Sequence, residues 1–541
     1  MKSLVLTLAL STAYGYGQVS WERLKNAERE PQNWLTYSGA SSAQRHSGLT
    51  QIHAGNVKDL ELKWVFQAAS FEKFEATPLV VDGILYTVQA PNDIVAMDAA
   101  SGRIFWTLNY APSKEARVCC GRVNRGLAVL GDLLYMGTID ARLLAVDAKT
   151  GKVAWSVAVA APEAGYSLTH APLIVKDKVI VGVAGGEYGI RGYIAAYDAK
   201  TGKEAWRFYT VPGPGEAGNE TWAGDSWKTG GGSIWVTGAY DAETNLTYWG
   251  VGNPGPDWNG DGRLGDNLYS DCVVALDADT GKLKWHYQFT PHDELDYDSV
   301  QVPVLGDIEV KGRKRAVVMW ANRNGLYYVL DRKTGEFLAG KPFTKVTWMD
   351  GFDAKGRPNK LASAAPSKEG SLVFPGVQGG TNWYSPSFSP RTGLFYFSAW
   401  NNSFSTFVKA AETYKEGQKF LGGYPRSSFG LNRGGQVNTR KPEDGHGMVL
   451  AVDAATGEKR WQLDFVDVTD SGILTTATDL LFTGNREEHF HAIDARTGKI
   501  LWRTTLGGTM ANGPITYAVD GKQYVAVAAG NGLFVFGLRG D

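Results

Sequence analysis

The chain has few cysteines, few histidines and almost no net charge, and each scarcity excludes a class of function. Its 541 residues include three cysteines and eight histidines, with no Cys-x-x-Cys-His haem attachment motif and no His-Glu-x-x-His zinc motif. The formal net charge of −1 gives no electrostatic footprint for nucleic acid. The basic run KGRKR (Lys311–Arg315) lies between two strand-like stretches and is interpreted as a solvated hairpin tip.

Long apolar runs are absent as well. No segment reaches the roughly 18 consecutive apolar residues of a membrane-spanning helix. The N-terminus, MKSLVLTLALSTAYGYG, has one lysine, a short apolar run over Leu4–Leu10 and then small residues. This order is typical of a secretory signal peptide cleaved after Gly15 or Gly17, and a disordered apolar N-terminus is the alternative. We expect residues 1–17 to be the signal peptide and residues 18–541 to be exported without a membrane span.

The chain is rich in tryptophan (18) and glycine (66), and both recur in one repeated pattern. An Ala-x-Asp-x-x-[Thr/Ser]-Gly-x-x-x-Trp unit is found six times. A degraded copy without its tryptophan spans Val329–Gly335, and Asn56–Trp64 ends in a similar tryptophan. The full copies are Ala96–Trp106, Ala145–Trp155, Ala196–Trp206, Ala275–Trp285, Ala451–Trp461 and Ala492–Trp502.

The repeat indicates two short strands joined by a tight turn. The Asp, the Thr and a glycine with positive φ make the turn, and the tryptophan suits a contact between neighbouring sheets. Units of about 40–50 residues with four strands are typical of a propeller. Eight tryptophan or tryptophan-like positions predict an all-β, eight-bladed β-propeller of four-stranded antiparallel blades. Seven blades and an array of β-sandwiches are the alternatives. We expect the last strand, GLFVFGL, to close the ring against N-terminal sequence.

Four motifs outside the repeats have the residues of a cofactor and metal site. An oxygen-donating Glu and Asn are chemically coherent ligands for a hard cation. The four motifs resemble those of the quinoprotein alcohol dehydrogenases, a family that includes methanol and ethanol dehydrogenases, and the resemblance covers essentially the whole mature chain. They are VCCGRVNRGLA (Cys119, Cys120, Arg125), GGEYGIRGYIAAYD (Gly185, Gly186, Glu187), TYWGVGNPGPDW (Asn253) and TPHDELDYDSV (Asp296, Asp298).

The resemblance implies a metal-assisted oxidation with pyrroloquinoline quinone (PQQ). The implied metal ligands are Glu187, Asn253, Asp296 and Asp298. Asp296 would be the general base on the alcohol hydroxyl, Arg323 would stabilise charge on the quinone oxygens, and hydride would pass to C5 of PQQ. The Asp298 position carries a second carboxylate in members that use a lanthanide(III) ion. The alternative is a calcium ion (Ca²⁺), with Asp298 on the surface.

The resemblance also implies how PQQ is held. A disulfide between Cys119 and Cys120 would pack on one face of the cofactor, and Trp235 would stack on the other. Two arginines and polar donors suit a planar tricarboxylate. Two departures affect the rim of this cradle, namely Ala184 where relatives often have Ser and Asp470 where some have Trp. The implied cofactor-binding residues are Glu75, Cys119, Cys120, Arg125, Thr169, Gly185, Gly186, Trp235, Arg323 and Asn382.

The function implied is periplasmic oxidation of a small alcohol to an aldehyde or ketone. Because the chain lacks a haem motif, electrons would pass to an external periplasmic cytochrome c. A PQQ dehydrogenase for sugars or polyols, a non-enzymatic scaffold propeller and a relative that has lost activity are the alternatives. The stretch Asp257–Asn267 (DWNGDGRLGDN) resembles a calcium loop without its closing Glu, and it is interpreted as an ordinary polar loop.

Overall fold

A computed structural model of the protein describes residues 18–427 and 445–540, so the predicted signal peptide at residues 1–17 lies outside the described residues. Helices are few and short in these two ranges, and none of them is long and apolar enough to cross a membrane. They are one α-helix, Trp21–Lys25, and the 3-10 turns Ala27–Arg29, Val57–Asp59, Pro162–Ala164, Gly186–Tyr188, Asn219–Thr221, Ser226–Thr229 and Ala362–Ala364.

Eight sheets, called I to VIII here, make up most of the described chain. Each has four antiparallel strands, and His46–Ser47 adds a parallel fifth strand to sheet VII. The strands are Leu79–Val81, Ile84–Gln89, Asp93–Asp98 and Ile104–Leu108 (I); Ala128–Leu130, Leu133–Gly137, Arg142–Asp147 and Val153–Ala158 (II); Leu173–Val175, Lys178–Gly182, Tyr193–Asp198 and Glu204–Tyr209 (III); Ala239–Asp241, Leu246–Gly250, Cys272–Asp277 and Leu283–Gln288 (IV); Val304–Val310, Arg313–Ala321, Leu326–Asp331 and Phe337–Pro342 (V); Ser387–Ser389, Leu394–Asn401, His446–Asp453 and Lys459–Asp464 (VI); Leu474–Thr476, Leu480–Gly484, His489–Asp494 and Ile500–Thr505 (VII); and Ile515–Val519, Lys522–Ala529, Gly532–Leu538 and Leu60–Gln67 (VIII).

Sheet VIII is assembled from both ends of the described chain. Its outer strand, Leu60–Gln67, pairs antiparallel with Gly532–Leu538, the last strand. This confirms the expectation that GLFVFGL closes against N-terminal sequence, and the predicted all-β architecture is also confirmed. Two small sheets accompany sheets V and VI. One lies between them in the sequence, and the other takes one strand from before sheet VI and two strands from between the second and third strands of sheet VI. They pair Met349–Phe352 with Pro358–Lys360, and Ser405–Lys409 with both Ser371–Val373 and Gly423–Ser427.

Each repeat tryptophan ties its sheet to the next one. The Trp106 indole N–H of sheet I donates to the Ala148 carbonyl in the turn of sheet II (3.1 Å), and the Tyr86 hydroxyl donates to the same oxygen (3.3 Å). Because a buried indole N–H needs an acceptor, this bond orients the large ring against the neighbouring sheet. The other indole ties are Trp155 to Ala199, Trp206 to Ala278, Trp285 to Arg332, Trp461 to Ala495 and Trp64 to Ala99.

Two joints use other aromatic contacts. In sheet V, whose repeat lacks the tryptophan, the Tyr327 hydroxyl donates to the Ala454 carbonyl of sheet VI (2.8 Å). Between sheets VII and VIII, Trp502 and Phe536 pack edge to face at 5.5 Å between ring centroids. The sheets therefore contact one another in sequence order and return to the first, which buries an apolar interface at every joint.

The repeat glycine serves the turn and the joint together. Gly281 has φ +70°, and a Cβ atom added there would lie 2.4 Å from the Trp206 ring of the preceding sheet. Gly151 and Gly335 stand in the same relation to Trp106 and Trp285. Glycine is therefore required at this position both for its backbone conformation and for the close approach of the indole.

We expect Gly281→Ala to destabilise the protein far more than Gly312→Ala. Both glycines have positive φ, but Gly312 has no atom within 4 Å of an added Cβ. The control should lose about 1–2 kcal/mol from backbone strain alone. The Gly281 variant should lose about 1–3 kcal/mol more because the Trp206 ring must move. Urea unfolding of both variants measures this, and equal losses would show that the tryptophan contact contributes nothing.

Candidate active site

All the predicted site residues lie in loops at one end of the sheets, where strands begin or finish. One group precedes the first strand of a sheet, and the other lies between its second and third strands. In an antiparallel sheet, the start of the first strand and the end of the second strand lie at the same end of the sheet. The first group is Glu75, Cys119, Cys120, Arg125, Thr169, Trp235, Asp296, Asp298 and Asn382, and the second is Gly185, Gly186, Glu187, Asn253 and Arg323.

Arg125 contacts three other predicted cofactor residues. Its guanidinium pairs with Glu75 (2.9 Å) and donates to the Thr169 hydroxyl (3.2 Å). It also donates to the Trp235 carbonyl (3.3 Å) and lies over two indole rings, those of Trp235 and Trp383, at 5.0 and 4.5 Å. Burial raises the pKa of Glu75, and the Arg125 charge opposes that rise. The result is a buried positive group between two aromatic faces.

A second arginine holds the two predicted aspartates. The Arg323 guanidinium donates to Asp296 (3.0 Å) and Asp298 (2.7 Å) through separate nitrogens, and its other bonds go to the Val377 carbonyl. The second oxygen of Asp298 accepts the backbone N–H of Asn253 at 3.0 Å. Asp298 is therefore a buried member of the cluster, and the alternative that it lies on the surface is wrong.

Asp296 combines burial with an unusual backbone. Its φ is +58°, in the left-handed region that non-glycine residues adopt rarely and often at functional sites. Burial, the largest cause, raises its pKa well above the ordinary value, and the Asp298, Asp257 and Glu187 charges add to the rise while Arg323 opposes it.

Glu187 lies beside the adjacent disulfide. Cys119 and Cys120 are bonded to each other, which confirms the predicted pairing, and the Cys120 sulfur lies 3.9 Å from a Glu187 carboxylate oxygen. Disulfide sulfurs are not thiolates, so this trio is no metal-ligating sulfur site. Burial and the Asp298 charge raise the pKa of Glu187, which connects it electrostatically to the Arg323 cluster.

Two glycines bring the Glu187 turn against Asn253. Gly185 has φ +120°, and a Cβ there would lie 2.0 Å from the Gly165 carbonyl oxygen. A Cβ at Gly186 would lie 3.2 Å from the Ser233 hydroxyl and 3.9 Å from the Asn253 side-chain oxygen. The Asn253 oxygen therefore faces the turn that carries Glu187.

Asn382 is the predicted residue with the fewest links to the others. Its amide donates to the Gln378 carbonyl (3.1 Å), and its own oxygen accepts the Trp383 N–H (2.9 Å). Nearby, the Gly380 N–H donates to the Arg323 carbonyl (2.9 Å). The segment thus connects Arg323 to the Trp383 ring that lies over Arg125, although the Asn382 side chain contacts neither arginine.

Sequence reasoning missed a buried charged pair beside this cradle. Asp470, noted only as a departure, accepts from the Tyr384 hydroxyl (2.8 Å) and from Arg486 (2.6 Å). Its charge acts on Glu75. A signal was present, because Asp470 occupies the same place before the first strand of sheet VII that Arg125 and Thr169 occupy in sheets II and III.

Residues 410–423 cover the Glu187 turn, and the sequence did not indicate this. The Phe420 N–H donates to the Glu187 carbonyl (2.7 Å), and the Trp258 N–H donates to the Leu421 carbonyl (2.9 Å). The Tyr414 and Phe420 rings pack on each other and on Gly189. This segment lies between the second and third strands of sheet VI, and its contacts with the Glu187 turn are tertiary.

The chain is similar to known proteins along most of its length. The chain matches the family described as PQQ, glucose/ethanol/alcohol dehydrogenase, beta-propeller domain, over residues 34–347 and 354–525. It is 39% identical over 548 residues to the quinohemoprotein alcohol dehydrogenase ADH IIB of Pseudomonas putida, covering 98% of this chain and 78% of that protein. The chain belongs to the quinoprotein alcohol dehydrogenase family. It is an oxidoreductase that acts on CH–OH groups, with a propeller fold.

Other members of the quinoprotein family agree. The quinoprotein alcohol dehydrogenase PedH of Pseudomonas putida is 38% identical, covering 98% of this chain and 91% of its own. A solved europium-containing methanol dehydrogenase superposes with a TM-score of 0.89 at 33% identity, covering 96% of this chain and all of that one. The quinohemoprotein alcohol dehydrogenase of Comamonas testosteroni superposes with the same score at 34% identity, covering 97% of this chain and 83% of that one.

The residues present fit the groups that the quinoprotein family uses. For a metal ion, the cluster offers the carboxylates of Glu187, Asp296 and Asp298 and the Asn253 amide oxygen, all donors that hard cations prefer. For PQQ, the buried Nε of Arg125 has no hydrogen-bond partner among the described residues, and aromatic rings flank its guanidinium. A planar polyanion would satisfy both features.

We expect Glu75→Gln to cost about 3 kcal/mol of stability in the cofactor-free protein. The change leaves the buried Arg125 guanidinium without its anionic partner. The matched control, Glu243→Gln, breaks a solvent-exposed pair with Lys333 and should cost far less stability. Urea unfolding of the two variants measures both losses. If Glu75→Gln lowers the free energy of unfolding no more than the control does, the Glu75–Arg125 pair does not stabilise the protein.

Proposed function

We propose that this quinoprotein oxidises a small alcohol to an aldehyde or ketone with PQQ and a bound metal ion. The observation that carries the proposal is the Arg323 guanidinium, which holds Asp296 and Asp298 side by side in a buried cluster with Asn253. The family's alcohol dehydrogenase relatives support the reaction class. Bound PQQ supplies a two-electron acceptor for hydride, and the metal supplies a Lewis acid.

Asp296 is the proposed general base for the alcohol hydroxyl proton. Its carboxylate is only partly exposed, and desolvation together with the neighbouring carboxylates outweighs Arg323 and raises its pKa, which makes it a stronger base than an exposed aspartate. Arg323 fixes one Asp296 oxygen at 3.0 Å, so the orientation of the carboxylate is set before substrate arrives. Arg323 donates to both carboxylates of this pair, and it would stabilise negative charge on the quinone oxygens of bound PQQ.

The proposed cofactor cradle has a charged side and two apolar faces. Arg125, held by Glu75 and Thr169, would pair with a cofactor carboxylate. The Cys119–Cys120 disulfide and the Trp235 ring would take the two faces. Gly185, Gly186 and Asn382 would complete the cradle with close backbone approach and polar contacts.

The proposed metal ligands are Glu187, Asn253, Asp296 and Asp298, and a lanthanide(III) ion is proposed in preference to Ca²⁺. The buried Asp298 adds a negative charge to the cluster, which favours the ion of higher charge. The europium-containing neighbour supports a trivalent ion in this fold.

The setting of the reaction is proposed from the sequence. Residues 1–17 would direct export to the periplasm, and residues 18–541 would form one eight-bladed propeller whose blades are sheets I to VIII. A separate cytochrome c would take the electrons, because the chain lacks a haem attachment motif. A sugar or polyol is the second candidate substrate class, since the matched family description includes glucose dehydrogenase.

Reconstitution tests the proposed reaction. We expect the purified protein to reduce an artificial electron-accepting dye with simple alcohols only when both PQQ and a metal ion are added. The panel includes glucose and glycerol as well as methanol, ethanol and longer primary alcohols. Asp296→Asn should lower turnover by at least about 100-fold, because it removes the base without changing the shape of the side chain.

Asp307→Asn, which alters an exposed carboxylate 74% accessible to solvent, serves as the matched control. Near-normal turnover of Asp296→Asn with PQQ and metal bound would remove Asp296 from the mechanism. No dye reduction and no PQQ retained on gel filtration would favour a non-enzymatic scaffold.

The metal assignment has its own test. We expect Asp298→Ala to lower lanthanum-supported turnover more strongly than calcium-supported turnover, because the lost carboxylate matters more to the ion of higher charge. Initial rates at saturating alcohol, measured with each ion in turn, give the two ratios. An equal loss with both ions contradicts the preference for a lanthanide.

A further inference from the structure

Asp257 is a buried carboxylate at the site that the proposed mechanism does not use. It follows Asn253 by four residues in the sequence NPGPDW, and sequence reasoning assigned it to an ordinary polar loop. The structure leaves it only 2% exposed, and one of its carboxylate oxygens, Oδ1, has no hydrogen-bond partner among the described residues. A buried carboxylate oxygen without a partner is rare, because desolvation costs more than most proteins can offset.

The surroundings of Asp257 place it beside the proposed metal cluster. The negative charges of Glu187 and Asp298 act on it. Its loop packs on the Glu187 turn, since a Cβ added at Gly255 would lie 3.6 Å from the Gly186 carbonyl oxygen. Asp257 is therefore coupled by charge to two of the four proposed ligands, and its loop contacts the turn that carries one of them.

The cations nearby are already engaged. Arg323 pairs with Asp296 and Asp298. Arg263 is fully buried, and its nitrogens donate to the Pro256 and Asp293 carbonyls and to Asn267. Neither arginine forms a salt bridge with Asp257 among the described residues. The unpartnered oxygen thus lies within reach of the Glu187 and Asp298 charges and has no cation hydrogen-bonded to it among the described residues.

We propose that Asp257 is a further ligand of the metal ion, binding it directly or through one ordered water. The inference rests on the proposed metal site and deepens it. With Asp257 included, four carboxylates (Glu187, Asp257, Asp296 and Asp298) contribute negative charge around Arg323, and Arg263 offsets part of it. The Asp257 charge favours the ion of higher charge, so Asp257 contributes to metal selectivity.

Metal binding tests this directly, without turnover. The full-length protein, stripped of metal and loaded with PQQ, is titrated with terbium(III) and, separately, with Ca²⁺. We expect Asp257→Asn to weaken terbium binding about 10- to 100-fold, with a smaller loss for Ca²⁺. In Asp257→Ala, terbium emission lifetimes compared in H₂O and D₂O should show an additional bound water where the carboxylate was.

Asp271→Asn and Asp271→Ala are the matched controls. Asp271 is also fully buried with an unpartnered carboxylate oxygen, and the charges that act on it are those of Asp293, Asp298 and Asp296. It therefore tests the effect of a buried carboxylate that feels the charge of the cluster without being a proposed ligand. The Asp271 variants should leave the emission lifetime unchanged. Equal effects at both positions would mean that Asp257 acts through long-range charge, which overturns the inference.

Melting temperatures separate ligation from a structural role of the loop. When no ion is bound, a buried carboxylate whose only role is to bind the ion lowers the stability of the protein. Metal-free Asp257→Asn should therefore have a higher melting temperature than the metal-free wild type. Added lanthanum should raise the melting temperature of this variant less than that of the wild type. A lower melting temperature of the variant both with and without metal would mean that Asp257 stabilises its loop, and it would overturn the inference.

The ion titrations separate failure of the inference from failure of the proposed function. If the wild type binds neither ion, the proposed metal-dependent function is refuted. If the wild type binds tightly and Asp257→Ala binds equally well, only the inference is refuted.

Discussion

The hydrogen bond from an outer-strand indole to the turn carbonyl of the next sheet is the interaction on which the architecture depends. A four-stranded sheet is too narrow to bury both of its faces alone, so each sheet is stable only against its neighbours. The indole supplies the apolar area, its N–H fixes the angle of approach, and the turn glycine lets the ring come close. Where the tryptophan is missing, Tyr327 makes the equivalent bond, which shows that the donor matters more than the residue type.

The site follows from this arrangement by topology. Once the sheets stand in order around the ring, the segments that enter their first strands and the turns between their second and third strands converge on one edge. Residues more than 200 positions apart, such as Glu75 and Trp383, then face the same guanidinium. The cluster divides into a half built on Arg125 with aromatic rings and a half built on carboxylates around Arg323.

Much of this was readable in the sequence, and the reasons for the remainder are physical. The repeat predicted the sheets, and the motifs predicted the vicinal disulfide that the structure contains. The tyrosine hydroxyls that share the tryptophan acceptors carry no spacing signal of their own. Asp257, the Asp470–Arg486 pair and the cover formed by residues 410–423 depend on tertiary contacts between distant segments, so no local pattern marks them.

The strand exchange in sheet VIII sets an order on biosynthesis. Leu60–Gln67 leaves the ribosome long before its partner strand, Gly532–Leu538. Until then the early strand has an unpaired edge, and its Leu62 and Val65 side chains stay partly exposed even in the finished fold. Unpaired strand edges of this kind invite aggregation. The edge of Leu60–Gln67 therefore needs protection until Gly532–Leu538 has been made, and only then can the ring close.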